Sequence, residues 1–185
     1  MEISKEDWKQ AVEFYNNIRS YDGRILELEE RAVAYVFELA GYKAEDVGSF
    51  GLKLNLPDSD LDLAIGVPVT DRDRVLNILR THLKYKGERI TRDSSTRHVF
   101  GLSIDGVEID LGVLPDDDFS LLCESLEQCR REMTQEERIE HVWRKNTLKK
   151  EGRRLEYATL KLLPYARFCP TFRWVPILEG DPSSA

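Results

Sequence analysis

Cysteine is scarce and unpaired in this chain: Cys123, Cys129 and Cys169 are odd in number and none has Cys-x-x-Cys spacing. That pattern excludes a disulfide framework and a cysteine-built zinc site. Histidine is equally sparse, and His82, His98 and His141 are too scattered to form a ligand set, so each reads as a surface or half-buried residue. No apolar run approaches the roughly 18 residues of a membrane helix. The stretch from Met1 to Asp7 is acidic and lacks an apolar core, so it is not expected to act as a secretory signal. The expectation is therefore a cytoplasmic protein with no membrane partner. Basic charge is also in deficit, with 27 Lys and Arg against 34 Asp and Glu and a net charge of −7. A chain so charged does not grip nucleic acid broadly, because neutralising many phosphates requires a basic surface. Local basic stretches remain, Lys84 to Arg97 and Arg144 to Arg154, and both read mainly as solvated faces. There is no internal repeat and no low-complexity block.

What is present fits one well-buried domain. Apolar residues make up 41% and charged residues 33% of 185 positions, an ordinary soluble globular balance. Ser4 and Asp7 open an amphipathic helix carrying Trp8, Ala11, Tyr15 and Ile18. Asp22 starts a second, with Ile25, Leu28, Ala32, Val36 and Leu39 in one stripe and Gly41 at its end. A short strand around 44–47 leads into Gly48-Ser49, and 50–56 is too interrupted for more than a turn of helix. From Asp60 to Val67 the alternation is strict: Leu61, Leu63, Ile65 and Val67 point one way, Asp60, Asp62 and Ala64 the other. Thr70 is the expected cap of a helix reaching about Tyr85. Arg89 to Thr91 reads as a short strand and Asp93-Ser94-Ser95 as a turn. Strands 98–104 and 107–113 flank Asp105-Gly106, the signature of a type I′ hairpin. Helices then follow from Asp116, whose neighbouring acids suit a helix N-terminus, from the capping box Thr134 and Glu137, and after Gly152, the last ended or kinked by Pro164. The order defines an α+β fold: a small mixed β-sheet with helices packed against it and further C-terminal helices.

Two features carry chemistry. Asp60 and Asp62 lie two residues apart on one face of a strand, so their carboxylates can converge, and Asp110 joins them if its strand lies alongside. Clustered carboxylates repel unless a cation neutralises them, and all-oxygen ligands without Cys or His point to Mg²⁺ or Mn²⁺. Gly48-Ser49 is the second feature, since a glycine lets the backbone approach an anion and the serine hydroxyl and nearby N–H groups can bond phosphate oxygens at a helix start. On the Asp110 strand Glu108 shares its face and competes for the role.

The combination of Gly48-Ser49, then Asp60-Leu61-Asp62-Leu63, then Ile109-Asp110-Leu111 resembles the signature of the DNA polymerase β-like nucleotidyltransferase superfamily. The wording Gly-Ser-Phe followed by Leu-Asn-Leu-Pro-Asp-Ser-Asp-Leu-Asp-Leu is most similar to the poly(A) polymerase and terminal uridylyltransferase branch. The resemblance covers 44–113. It implies a nucleotidyltransferase fold over 1–185 as a single domain, with a catalytic core at 22–114, a helical segment at 115–168 and an irregular tail. It implies that Asp60, Asp62 and Asp110 hold divalent ions, Mg²⁺ or Mn²⁺, that Asp110 is also the candidate general base, and that Gly48 and Ser49 bind a nucleoside triphosphate such as ATP. The apolar neighbours of Asp110 match the family pattern better than the turn-proximal setting of Glu108. Leu155 to Arg167 resembles a helix of that branch in which a lysine contacts the triphosphate, which implies Lys161, although Pro164 departs from the pattern. The branch also carries a sizeable helical domain after its catalytic one, whereas about 70 residues follow Val113 here.

The implied reaction moves a nucleoside monophosphate from a triphosphate to a hydroxyl and releases pyrophosphate. The acceptor is an RNA 3′ end if the branch likeness extends so far, or a small molecule or protein side chain, as in short members of the superfamily. A non-catalytic nucleotide-binding or partner-binding module with the same fold is the alternative of a different class. Lys86 and Arg97 are within reach of phosphate or acceptor on this reading, and Trp143, Tyr157 and Tyr165 are candidates for base stacking that core packing explains equally well.

Overall fold

The structure, a computed structural model, describes residues 3–19, 22–90 and 96–168. The helices are α1 (Lys5–Arg19), α2 (Asp22–Ala40), α3 (Arg72–His82), α4 (Asp116–Glu132), α5 (Gln135–Lys150) and α6 (Arg154–Phe168), and the strands are β1 (Glu45–Asp46), β2 (Leu61–Val67), β3 (Lys84–Ile90), β4 (Thr96–Ile104) and β5 (Val107–Pro115). They form one five-stranded sheet in the order β1-β2-β5-β4-β3. The sheet is mixed because β2 and β5 run parallel while the other pairings are antiparallel.

The alternation in β2 divides the protein into two apolar layers. Leu61, Leu63, Ile65 and Val67 pack with Ile109, Leu111 and Phe100 against Ala32, Val36 and Ala40 of α2 and Val75 and Leu79 of α3. On the opposite face Ala64 and Leu114 meet Leu52, Leu54 and Leu56 of the loop, Tyr15 and Ile18 of α1, and Leu122, Leu126 and Val142 of α4 and α5. The second layer covers only part of its face. Beyond Ala64 and Gly112 the same face carries Asp62 and Asp110, so one sheet surface passes from core to polar site within one two-residue step.

Local signals account for most boundaries. Asp105 and Gly106 both have positive φ, 51° and 80°, the backbone of a type I′ hairpin. Gly41 N–H donates to Phe37 O at 2.9 Å and closes α2. In the capping box of α5 the Thr134 hydroxyl accepts from Glu137 N–H at 3.2 Å and the Glu137 carboxylate accepts from Thr134 N–H at 2.8 Å. Thr134→Ala is expected to lower stability by about 1 kcal/mol, measurable by urea denaturation.

Three expectations need correction. Thr70 is no helix cap: it lies in a 3₁₀ turn, Val69–Asp71, and α3 begins at Arg72. The Asp71 carboxylate is no cap either, since it accepts from Tyr42 Oη at 2.9 Å and Arg74 Nη2 at 2.8 Å. The helix also stops at His82, with Leu83 extended, because 84–90 pairs with β4 and forms a longer strand than the short one expected from Arg89. Of the two outcomes expected at Pro164, an end or a kink, the first does not occur, since α6 continues to Phe168. The turn at 93–95, Cys169, the tail from 171 and the side chain of Tyr165 lie outside the described residues.

Candidate active site

The parallel pairing of β2 and β5 sets Asp62 directly beside Asp110 as Cα partners, with Leu61 opposite Ile109 and Leu63 opposite Leu111. The two carboxylates therefore leave adjacent strands on one face. Asp60 sits one residue ahead of β2 and is exposed, while Asp62 and Asp110 are half-buried. Burial pushes the Asp62 carboxyl above the usual carboxylate range; Arg97 and Lys161 pull it back, and the charges of Asp110 and Asp60 push it further up. Glu108, the competing acid, is 73% exposed against 19% for the side chain of Asp110.

Gly48 lies against this pair. A Cβ at Gly48 would stand 2.8 Å from Asp62 Cβ and 2.9 Å from its Oδ2, so only a glycine lets the turn approach the acid so closely. Gly48 N–H donates to Asp46 Oδ1 at 2.8 Å, and Val47 N–H donates to Asp62 O at 2.9 Å. The backbone then passes through consecutive turns, with Leu54 N–H donating to Ser49 O at 2.7 Å. No helix starts after Ser49, so the expected helix-end contribution to phosphate binding is absent from these described residues.

The loop that follows is held by its carbonyls from the helical side. Arg130 donates to Gly51 O at 3.1 Å and Asp46 O at 3.2 Å, Arg138 to Leu52 O at 3.2 Å, Lys145 to Leu54 O at 2.6 Å, and Arg19 to Asn55 Oδ1 at 2.6 Å. Lys145 is the residue that reading the sequence missed. It lies in a stretch read as a solvated face, yet it is 1% exposed, and burial, then the charge of Lys161, lowers its pKa to about 7 against the opposing pull of Asp62. The available signal was its position three residues after Val142 and six after Ile139, on the apolar stripe of α5. Asp46 is similarly buried, with Oδ2 lacking a hydrogen-bond partner, and burial raises its pKa to about 7. It borders a cleft of about 310 Å³ with Phe119, Cys123 and Arg130, on the α4 side of the loop.

Lys161 is exposed on α6, with Nζ 5.8 Å from the centre of the Tyr157 ring, and its charge reaches both Asp62 and Lys145. Lys86 and Arg97 both belong to the site surface: Lys86 Nζ is 2.5 Å from Asp110 Oδ1, and Arg97 is the largest stabilising charge on Asp62. Trp143 packs edge-on to Phe14 at 6.1 Å and with Tyr157 borders the core cluster. His98 and His141 are buried rather than at the surface.

The donors suit a hard divalent cation, being oxygen only, with one carboxylate desolvated next to a second. Among the described residues no group of three His, Cys, Asp or Glu side chains is drawn together tightly enough to hold a metal. The present arrangement is a carboxylate pair with Asp60 at its edge and ammonium and guanidinium groups around it.

Neither a protein-family model nor a curated protein matches the sequence. Solved structures do match. GLD-2 in the GLD-2/RNP-8 complex is similar over 91% of this chain and 68% of its own, at a TM-score of 0.54 and 11% identity. Cid1 in complex with its short product ApU is similar over 80% of this chain at a TM-score of 0.53 and 13% identity. The Cid1 poly(U) polymerase with Mg 3′-dATP bound is similar over 79% at 0.52 and 16% identity. The chain spans about half the length of the Cid1 chains, 48% in each. These neighbours are DNA polymerase β-like nucleotidyltransferases, and this chain shares their fold. Among the described residues no helix is long and apolar enough to cross a membrane.

Proposed function

We propose that the protein is a divalent-metal-dependent nucleotidyltransferase that moves a nucleoside monophosphate from a nucleoside triphosphate to a hydroxyl acceptor. The observation that carries this reading is the register pairing of Asp62 with Asp110 beneath Gly48. Asp60, Asp62 and Asp110 would hold the metal, Mg²⁺ or Mn²⁺. When bound it supplies positive charge to the triphosphate and acidifies the acceptor hydroxyl. The Gly48–Ser49 turn receives the phosphates, with Lys161 as a further phosphate contact. Asp110 accepts the proton of the acceptor hydroxyl. The acceptor oxygen attacks the α-phosphorus in line, a new P–O bond forms, and the bond to pyrophosphate breaks. The likeness to an RNA terminal U-transferase and to the Cid1 poly(U) polymerase supports an RNA 3′ end as acceptor; the acidic charge of the chain favours a small hydroxyl compound or a protein side chain.

The test is label transfer. The protein is incubated with Mg²⁺ or Mn²⁺ and each labelled triphosphate in turn, with RNA, lysate or small hydroxyl compounds as acceptors. Transfer that stops on chelation and in Asp60→Ala and Asp110→Ala supports the enzyme. Transfer untouched by those substitutions would move the site elsewhere. The ion pair of Lys86 with Asp110 favours a second reading, a nucleotide-binding module in which the lysine permanently replaces metal. Triphosphate binding with no transfer to any acceptor would select it.

A further inference from the structure

β3 pairs regularly with β4 as far as Tyr85 opposite Phe100, and the register then shifts before Gly87 meets Val99. Lys86 is the residue inserted by this bulge, and Gly87 beside it has a φ of +122°. Bulges twist a strand locally and re-aim a side chain. Lys86 is directed across β4, where its stem passes over Gly101: a Cβ at Gly101 would lie 2.6 Å from Lys86 Cε. Gly101 is in turn the Cα partner of Asp110. The lysine thus crosses one strand to reach the next, with Nζ at 2.5 Å from Asp110 Oδ1 and 3.5 Å from the more exposed Glu108.

An ordinary surface ion pair contributes little to stability and needs no such construction. Here a bulge, an adjacent glycine and a strand position without a side chain converge on one contact. That contact sits on the carboxylate next to Asp62, whose pKa Asp110 raises. An ammonium at Asp110 Oδ1 offsets the repulsion between the two acids, as a metal ion would. Both cannot use the same oxygen, since like charges repel strongly at that separation.

We propose that Lys86 is a positioning residue that holds Asp110 beside Asp62 in the metal-free protein and releases the carboxylate when a divalent cation binds. The inference rests on the reading of Asp62 and Asp110 as metal ligands. Metal loading is then an exchange of one cation for another, and the lysine sets the affinity.

The experiment is Mn²⁺ titration of the full chain without nucleotide, following free Mn²⁺ by electron paramagnetic resonance. Lys86→Met is expected to bind Mn²⁺ about tenfold more tightly than wild type, and Lys86→Arg, which keeps a cation in place, within about twofold of it. Gly101→Ala is an independent variant: its methyl pushes the lysine stem aside, and affinity rises in the same direction. A lysine that merely supported the fold would lower affinity when removed. Unchanged or weaker binding by Lys86→Met and Gly101→Ala overturns the exchange while leaving the metal reading intact. If neither wild type nor any variant binds Mn²⁺, the metal reading fails and the exchange with it.

Discussion

Asp62→Asn is expected to lose nucleotidyl transfer by about a thousandfold or more and, near neutral pH, to melt at a higher temperature than the wild type. The two effects have one cause. The Asp62 carboxylate is desolvated against the Gly48 turn, with the charges of Asp110 and Asp60 adding to its raised pKa, so the folded state disfavours the ionised form the reaction needs. A carboxyl whose pKa is raised on folding stabilises the protein most below its unfolded pKa, and that contribution is lost as pH rises through the folded value. Replacing it with a neutral amide removes the penalty at neutral pH, and the gain vanishes below about pH 3, where the acid is protonated in both states. Label transfer and thermal melts at the two pH values measure both. A variant that transferred normally would remove Asp62 from the chemistry. One that melted lower at neutral pH would mean that Arg97 and Lys161 outweigh burial.

Lys145→Met is expected to change the pH dependence of stability and weaken triphosphate binding. The ammonium is 1% exposed and its pKa falls to about 7. A lysine whose pKa is lowered on folding costs stability in full below its folded pKa, and the cost shrinks as pH rises from there towards the unfolded value. Wild-type stability should therefore rise relative to the variant above pH ~7, by up to about 1.4 kcal/mol per pH unit. Burial also raises the thiols of Cys123 and Cys129, which act in the opposite sense near their own titration, but both proteins share them and the difference cancels. Urea denaturation at intervals between about pH 7 and 9 reads the divergence. A constant difference would mean that the lysine stays charged in its buried place. Methionine also leaves Leu54 O without its donor, so the loop after Ser49 loosens and KM for the triphosphate rises.

The paired acids were legible because strand alternation is a local property: Asp62 and Ala64 share a face whatever the rest of the chain does. The Asp105-Gly106 turn likewise announced β4 and β5, and their pairing brought Asp110 to the edge of β2. The length of β3 was not legible, because the helical pattern from Val75 to Leu83 continued without a break and the competing pairing with β4 is non-local. Lys145 and Asp46 were hidden for a different reason. A charged side chain reads as solvated unless its burial partner is known, and those partners, Leu54 O and Gly48 N–H, are backbone groups that carry no mark of residue type.

The carbonyl clamps on the loop have a consequence for the order in which the site assembles. Lys145 reaches Leu54 across 91 positions of chain and Arg130 reaches Asp46 across 84. At a synthesis rate of about 5–20 residues per second, the turn waits some 5–20 s for the cation that fixes it. Strand β2 and the hairpin can pair in that interval, and Arg19 already precedes Asn55 in the chain, but Leu52 O and Leu54 O have no donor until α5 is complete. The nascent protein thus pairs its acids early and fixes the carbonyls of the loop beside them last.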